Sequence, residues 1–254
     1  MKIVRIRLEG DEIAYGGVEP EGIRVYRGTP FVAWEPTEAV VSFTEVQLLA
    51  PVFPTKVVAV GRNYADHAAE HGAETPKEPL IFIKPATAVI GPLASIVLPP
   101  ESSEVHHEAE LAVVMGKVTR NVDIEDVGSH VLGYTAANDV SARDLQRKDG
   151  QWARAKGFDT FCPLGPAIET EVDPLEGLSI ICRVDGDIRQ SGTTTDMVFG
   201  VGEIVSFVSR VMTLLPGDVI LTGTPSGVGP LVPGNRVEVE IERIGSLLNP
   251  VVSG

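Results

Sequence analysis

Residues 105–114, with the sequence VHHEAELAVV, place the tightest constraint on how this chain folds. Aliphatic and β-branched side chains surround two carboxylates, Glu108 and Glu110. Side chains of a strand alternate between its faces, so these two carboxylates would share one face. Like charges on one face of a core strand repel each other and lose hydration unless a positive charge lies between them. The segment therefore predicts a buried strand that holds a cation.

A third carboxylate follows another apolar segment. Asp139 stands just after residues 131–137, which are predicted to form a strand, and a bare charge there needs a partner. Carboxylates favour the hard cations Mg²⁺, Mn²⁺ and Ca²⁺ over zinc or copper. Strand alternation also predicts that His106 lies on the same face as the two glutamates and that His107 lies on the opposite face. The competing interpretation is a solvent-facing Glu-x-Glu pair with unrelated histidines.

The composition excludes several classes of protein. The 35 acidic and 21 basic residues give a net charge of −14, which argues against binding to nucleic acid or to an anionic membrane. No run approaches the length of a membrane span, and the N-terminal MKIVRIRLEGDE alternates like a strand rather than a signal peptide. Cys162 and Cys182 are isolated and are predicted to be buried, reduced thiols. These features predict a cytoplasmic globular protein.

The distribution of turns and apolar residues predicts two domains. The 26 Gly and 19 Pro favour many turns and a β-rich fold. Residues 1–50 are short apolar runs split by Gly and Pro and predict a small β-rich N-terminal domain, with residues 51–254 as the main domain. Residues 204–215 have helical apolar spacing and predict one long amphipathic helix. Ser141 is predicted to cap the helix that follows it.

A histidine and a glutamate suited to proton transfer stand in the segment GRNYADHAAEHG. A strand, a glycine and an alanine-rich run predict a turn into a short helix, where His67 and Glu70 share a face. His71 stands four residues after His67 and could share that face too. A carboxylate that orients an imidazole and raises its basicity makes a general base. The alternative is an ordinary ion pair on an exposed helix.

Basic side chains and one glycine-rich loop are candidates for binding an anion. Lys156 is the main candidate, with Arg62 and Arg143 as helpers, although lone basic residues are usually solvated surface charges. The loop TGTPSGVG, residues 222–229, offers backbone N–H groups and hydroxyls that could bind a carboxylate. It lacks a following lysine and is not a phosphate-binding P-loop. An ordinary Gly/Pro turn is the alternative.

Six segments occur in the order and spacing of the fumarylacetoacetate hydrolase superfamily, which the chain resembles over about residues 50–245. These segments are GRNYADHAAE, IFIKPATAVIGP, HHEAELAVVMG, NDVSARDLQ, AKGFDTFCPLGP and GDVILTGTPSGVG. The resemblance implies a β-rich α+β fold in which mixed β-sheets roll around a metal site, with few short helices and a small N-terminal β domain. It also implies a homodimer.

The resemblance assigns roles to individual residues. It implies that Glu108, Glu110 and Asp139 bind Mg²⁺ or Mn²⁺, with Ca²⁺ as a substitute in a crystal. It implies that His67 and Glu70 activate water from a lid helix and that Lys156 lies near the substrate oxyanion. The implied substrate-binding residues are Arg143, Gln146, Thr224 for the substrate carboxylate, and Lys84 in an unspecified role; Arg62 and Tyr64, from the GRNY turn, complete this set.

The resemblance implies that the substrate is a 2-oxo acid. A divalent cation bound to this acid acts as a Lewis acid and stabilises an enolate at carbon 3. The large fumarylacetoacetases carry a further aspartate ligand in a strand that here is KVVAV, residues 56–60, with no acid. The chain therefore resembles the smaller branch, and the main expectation is hydrolysis of a C–C bond in a 2,4-dioxo acid, with oxaloacetate decarboxylation as a further activity. Two alternatives are a 2-hydroxyhepta-2,4-diene-1,7-dioate isomerase or decarboxylase and a non-catalytic module that binds a metal or metabolite.

Overall fold

The computed structural model describes residues 1–70, 72 and 74–254. The strands are β1 (Lys2–Arg7), β2 (Ile13–Glu19), β3 (Gly22–Thr29), β4 (Ala33–Val41), β5 (Gln47–Leu49), β6 (Val57–Gly61), β7 (Leu80–Lys84), β8 (Val89–Ile90), β9 (Ile96–Leu98), β10 (Val105–His107), β11 (Ala109–Met115), β12 (Val131–Asn138), β13 (Ser141–Ala142), β14 (Cys162–Glu169), β15 (Ser179–Val184), β16 (Asp187–Thr193), β17 (Val219–Leu221), β18 (Gly229–Pro230), β19 (Arg236–Ile241) and β20 (Gly245–Ser253). The α-helices are α1 (Ala65–Glu70), α2 (Arg143–Asp149), α3 (Ala153–Gly157) and α4 (Val201–Val211). Short 3₁₀ helices cover Glu9–Asp11, Phe43–Glu45, Ala86–Ala88, Ile124–Ser129, Pro174–Glu176 and Thr194–Asp196.

One large mixed sheet organises the molecule. Its strands follow the order β4-β3-β2-β1-β14-β12-β11-β17-β6-β7, with β5 beside β1 and β8 beside β14. Most neighbours are antiparallel, whereas β6 and β17 run parallel. A second sheet has the order β16-β15-β19-β20-β9, and a small one has the order β13-β10-β18. The β-rich fold with few short helices that the sequence predicted is confirmed.

The N-terminal strands extend this large sheet. Strand β1 pairs with β14 through Lys2 with Glu169 and Ile3 with Ile168. Ile3 belongs to the same apolar cluster as Val57 and Leu164. The division of the chain at residue 50 stays a prediction.

Strand β11 is buried along its whole length because other elements cover both of its faces. Leu111 packs into the cluster that contains Ile180 and Val239 of the second sheet. Val113, farther along the same face, packs with Ile204 of α4, and Ala112, on the opposite face, belongs to the cluster that contains Val57. This two-sided burial explains the uninterrupted apolar run after Glu110, which is typical of a central strand.

Helix α4 is shorter than the apolar spacing predicts. It ends at Val211 instead of continuing to residue 215. Leu214 is fully buried, but its backbone pairs with Thr119 through N–H···O bonds of 3.0 and 2.9 Å in the two directions. The apolar periodicity continues past the helix because this residue stays in the core, while strand-type pairing replaces the helical hydrogen bonds.

Within the described residues, no helix combines the length and apolar character needed to cross a membrane.

Candidate metal and active site

Three buried carboxylates meet beside the ends of β11 and β12. Glu108, Glu110 and Asp139 are each at most 3% exposed, and one oxygen from each lies within 4.8 Å of the others. Glu110 projects from β11, Asp139 follows β12, and Glu108 lies between β10 and β11. The cluster that the sequence predicted is therefore assembled in the structure.

Glu108 interrupts the strand that the sequence predicted as continuous. Its backbone N–H donates to Asn138 Oδ1 at 2.9 Å, and the Asp139 N–H donates to the Glu108 carbonyl at 2.8 Å. These bonds join the start of β11 to the end of β12. Because the strand is interrupted at Glu108, the alternation of side chains between its two faces cannot be extended from β10 into β11. His106 pairs with Glu104 at 3.5 Å, and its relation to the two glutamates stays a prediction.

Three buried cations face the carboxylates. Lys156 Nζ lies 2.8 Å from both Glu108 Oε2 and Asp139 Oδ2. Lys84 Nζ lies 2.6 Å from Asp139 Oδ1, and Arg143 forms an ion pair with Glu108. In the described residues, three acids and three bases thus compensate one another, as buried charges require.

The pKa values follow from this unequal compensation. Burial raises the pKa of Glu110 well above its usual value, and the charges of Asp139 and Glu108 raise it further. Burial also opposes the charged form of Glu108, but Arg143 and Lys156 outweigh it and lower the pKa. Glu110 is thus the carboxylate that the protein cations compensate least.

The donor set fits Mg²⁺ or Mn²⁺. It consists of carboxylate oxygens in a buried cluster, which hard divalent cations prefer. A divalent cation would replace the proton that the environment favours on Glu110. The Gly223 N–H, 2.7 Å from Glu110 Oε2, holds that carboxylate in place.

The proposed base and its orienting acid lie together on α1. His67 is 7% exposed, and its Nδ1 lies 3.4 Å from Glu70 Oε2. The Gly227 N–H approaches both Glu70 oxygens at 3.2 and 3.3 Å. Burial lowers the pKa of His67, while Glu108 and Glu70 oppose this effect and Arg143 adds to it. The imidazole is therefore neutral near pH 7, as a general base must be. His71 lies outside the described residues.

A cavity of about 260 Å³ connects these groups. Its lining includes the following predicted residues: Arg62, His67, Glu108, Glu110, Asp139, Arg143, Gln146, Lys156 and Thr224. Phe82, Arg147 and Trp152 also line it. Arg143 Nε is buried and has no hydrogen-bond partner among the residues that the structure describes. An anion in the cavity would satisfy this donor.

Two predicted substrate-binding residues are not part of the lining of this cavity. Lys84 is fully buried against Asp139 and supports a carboxylate of the cluster. Tyr64 is 2% exposed and lines a separate cavity of about 240 Å³ together with Asp66 and Asp196. Direct contact of either residue with a substrate stays a prediction.

Most of the chain matches one protein-family model. The model of the fumarylacetoacetate (FAA) hydrolase C-terminal domain matches residues 56–252. The chain belongs to the fumarylacetoacetate hydrolase family. The resemblance seen in the sequence is thereby confirmed. A further family model, described as Rv2993c-like, N-terminal, matches residues 1–51.

Relatives of this fumarylacetoacetate hydrolase family member are named after several reactions. The Homo sapiens mitochondrial oxaloacetate tautomerase FAHD2A is 50% identical over 222 residues, which cover 82% of this chain and 70% of that protein. The structure of a 2-hydroxyhepta-2,4-diene-1,7-dioate isomerase from Mycobacterium marinum has a TM-score of 0.92 and 46% identity, and the match covers 100% of this chain and 98% of that one. A fumarylpyruvate hydrolase from Pseudomonas aeruginosa, in complex with Mn²⁺ and pyruvate, has a TM-score of 0.75 and 36% identity over 82% and 92% of the two chains. The named members of this family are thus enzymes.

Several polar groups support this site although the sequence analysis predicted no role for them there. Asn138 fixes Glu108, and Gln190 of β16 donates to Thr224 Oγ1 at 2.7 Å. Ser141 was predicted to cap α2, but that prediction is wrong, because Ala142 occupies the cap position. The Ser141 hydroxyl instead donates to the Asp139 carbonyl at 2.8 Å and lies 3.2 Å from Glu108 Oε1. Ser141 is drawn away because β13 pairs it with His106.

Proposed function

We propose that this chain is a divalent-metal-dependent enzyme that interconverts the enol and keto forms of a small 2-oxo dicarboxylic acid such as oxaloacetate. The observation that carries the proposal is that one cavity holds His67, a neutral base, together with the carboxylate cluster and its buried cations. The relative named oxaloacetate tautomerase supports the choice of substrate.

The charge of the site favours a dianion. In the described cluster the charges of three carboxylates and three basic side chains sum to zero. A bound divalent cation would therefore bring the net charge of the cluster to about +2. Arg62 lines the same cavity and adds to this field, whereas the charge of Arg147 is balanced by its ion pair with Glu104. A substrate with two carboxylates would restore neutrality, and the cavity of about 260 Å³ suits a molecule of few carbons.

His67 would move the proton. Glu70 lies at Nδ1 and favours the tautomer in which Nδ1 carries the proton, so Nε2 is the basic nitrogen. Nε2 would take a proton from carbon 3 of the keto form and later release it to solvent, while the enolate oxygen would take a proton from water to give the enol. In the reverse direction the enol O–H proton would pass to water and the protonated Nε2 would give a proton to carbon 3. A bound divalent cation would supply Lewis-acid stabilisation of the enolate that this transfer creates.

Hydrolysis of a C–C bond is the second candidate. The same His67–Glu70 pair is suited to activating a water molecule, which a decarboxylation does not need. The similarity to fumarylpyruvate hydrolase supports this reading, and the similarity to the diene-dioate isomerase supports proton transfer within a longer acid. The homodimer and the cytoplasmic location that the sequence predicts remain part of the proposal.

Turnover by the Mg²⁺-loaded protein and its His67→Ala variant tests the proposal. We expect the loss of enol absorbance from oxaloacetate to be accelerated by the wild type and slowed by about 10²-fold or more in the variant, because a positioned general base contributes that much. Pyruvate analysis separates the reactions: tautomerisation releases none, decarboxylation releases it from oxaloacetate, and hydrolysis releases it from acetylpyruvate or fumarylpyruvate.

His106→Ala is the matched control. His106 is 15% exposed at its side chain and stands two residues before Glu108, yet it pairs with Glu104. This variant should keep the wild-type rate. If His67→Ala also keeps it while both variants bind Mg²⁺, the chain is a binding module or uses another base, and the proposal fails.

A further inference from the structure

Asn63 joins the turn before α1 to the loop after β17 and to the loop before α4. It is fully buried between β6 and α1. Its Nδ2 donates to the Thr222 carbonyl at 2.7 Å and to the Phe199 carbonyl at 3.0 Å, and its Oδ1 accepts from the Phe199 N–H at 2.8 Å. A carbonyl can only accept and an N–H can only donate, so these partners fix which end of the amide is which. Both protons of the Asn63 amide are therefore engaged.

The Thr222 carbonyl belongs to the same peptide group as the Gly223 N–H. This peptide bond is trans, so the two groups point in opposite directions. On one side the Gly223 N–H donates to Glu110 Oε2 at 2.7 Å, and on the other side the Thr222 carbonyl accepts from Asn63. The peptide group is thus held at both ends, and each hydrogen bond polarises it for the other.

The other bonds of Thr222 do not set the direction of this peptide group. The Thr222 N–H and hydroxyl both donate to the Leu111 carbonyl, at 3.1 and 3.0 Å. These bonds anchor Thr222 to β11, but they act on the preceding peptide group and on the side chain. Gly223 has a φ of +96°, and a Cβ atom there would lie 2.7 Å from Asn63 Cβ. A glycine at this position therefore lets Asn63 approach the peptide group closely enough to orient it.

Glu110 depends on this peptide group more than the other two carboxylates of the cluster would. Glu108 and Asp139 both form ion pairs with Lys156, whereas Glu110 receives the backbone N–H of Gly223. A partner that hydrogen-bonds a metal ligand from outside the site fixes the orientation of that ligand, and its loss usually weakens metal binding. The orientation of Glu110 should therefore depend on whatever aims this N–H.

We propose that Asn63 is a positioning residue of the carboxylate cluster. It sets the direction of the Thr222–Gly223 peptide group, whose N–H holds Glu110 in the orientation that binds a divalent cation. Asn63 acts through this peptide group, because it is not among the residues that line the main cavity. The inference rests on the proposed function for the presence of the cation.

Asn63→Leu, which keeps the branched shape and removes the amide, tests the inference in two measurements. By calorimetry we expect Mg²⁺ to bind about 5- to 10-fold more weakly than to the wild type, the equivalent of one hydrogen bond. By NMR in EDTA we expect the Gly223 amide proton to exchange with solvent about 10-fold faster, because its peptide group is no longer held at the carbonyl.

Asn249→Leu is the matched control for a buried asparagine. Asn249 is 1% exposed, its Nδ2 bridges the carbonyls of Gly91 and Ala94 at 2.9 and 2.8 Å, and it is not part of the cavity lining. This variant should lose stability, yet keep the wild-type affinity for Mg²⁺ and the wild-type exchange at Gly223. Wild-type behaviour of Asn63→Leu in either measurement, or equal changes in the two variants, would overturn the inference.

NMR of wild-type protein with ¹⁵N-labelled asparagine side chains tests the same connection without a substitution, should Asn63→Leu fail to fold. Because Mg²⁺ would bind Glu110, the side-chain amide signals of Asn63 should shift on addition of Mg²⁺, and those of Asn249 should stay in place. Unmoved Asn63 signals at saturating Mg²⁺ would overturn the inference. Wild-type protein that binds no Mg²⁺ would instead contradict the proposed function, and exchange at Gly223 in EDTA would still decide whether Asn63 holds the peptide group.

Discussion

At the scale of single residues, Lys84 shows how the buried charges of the site are balanced. Its side chain is fully buried, and Nζ lies 2.6 Å from Asp139 Oδ1 and 3.3 Å from the Val140 carbonyl. Lys156 holds the other Asp139 oxygen. Lys84 therefore stabilises the carboxylate cluster when no cation is bound to it. Because a divalent cation would bring positive charge to the same carboxylate, Lys84 would also repel that cation.

Lys84→Met should therefore affect the two states differently. In EDTA we expect the free energy of unfolding to fall by about 3 kcal/mol, because removing one partner of a buried ion pair leaves the other uncompensated. With saturating Mg²⁺ the loss should be smaller, and Mg²⁺ affinity should rise, since binding and stability are linked. Urea unfolding in EDTA and in Mg²⁺ measures both effects.

Lys56→Met is the matched control for this prediction. Lys56 forms an ion pair with Asp218, and neither residue lines the main cavity as the described residues define it. Its loss of stability should be the same in EDTA and in Mg²⁺. An equal loss for Lys84→Met under both conditions would show that Lys84 does not compete with a cation.

The residues of the site differ in how far the sequence could predict them. Glu108, Glu110 and Asp139 could be predicted, because several carboxylates in apolar segments need a common partner. The role of Lys84 could not, because a lysine in a strand does not show which buried acid it will meet. Gln190 could not either, since an amide in a hairpin strand is ordinarily a surface residue.

At the scale of elements, Asp218 ties β17 to β6. Its carboxylate accepts hydrogen bonds from Thr55 Oγ1 at 2.6 Å, from the Thr55 N–H at 3.0 Å and from the Leu215 N–H at 2.8 Å, and it pairs with Lys56. Burial alone would raise the pKa of Asp218, but the bonds from Lys56, Thr55 and Leu215 outweigh it and lower the pKa. The Asp218 side chain therefore fixes where the parallel strands β6 and β17 begin. Strand β6 leads into the α1 turn, and β17 leads into the Thr224 loop.

Asp218→Asn should destabilise the protein in a pH-dependent way. A lowered pKa in the folded state means that the carboxylate stabilises the fold fully above its unfolded pKa of about 4, and that this contribution is lost as the pH falls towards the folded pKa. We expect a loss of about 2 kcal/mol at pH 7 and a smaller loss at pH 3.5. Urea unfolding at both pH values measures the difference, and an equal loss at both would contradict the charge-based role.

The elements themselves were predictable where periodicity and burial agree. The strand after Glu110 and the short helix that carries His67 are present. The break at Glu108 was not predictable, because it comes from a bond to Asn138 that lies 30 residues away in the sequence. The early end of α4 has the same origin, since Thr119 supplies the competing backbone pairing from a distant loop.

At the scale of the whole molecule, the site combines parts of both large sheets. The large sheet supplies Glu110 and Asp139 at the ends of neighbouring strands, the second sheet supplies Gln190, and α1 and α3 supply His67 and Lys156. No single segment of the sequence shows that these side chains meet in one site. The order and spacing of the family's motifs along the chain does indicate it. The chain has a net charge of −14, yet four basic side chains line the cavity beside its three carboxylates, so a bound divalent cation would make the cavity locally positive.

The central claim is that His67 transfers a proton at carbon 3 of a 2-oxo acid bound beside the carboxylate cluster. Proton NMR in D₂O, with Mg²⁺-loaded protein and oxaloacetate, measures this transfer directly as the exchange of the carbon-3 protons for deuterium. We predict exchange well above the rate in Mg²⁺ buffer for the wild type and for His106→Ala, and exchange at the buffer rate for His67→Ala and in EDTA. Exchange at the buffer rate for wild-type protein that binds both Mg²⁺ and oxaloacetate, or undiminished exchange in His67→Ala, would contradict the claim.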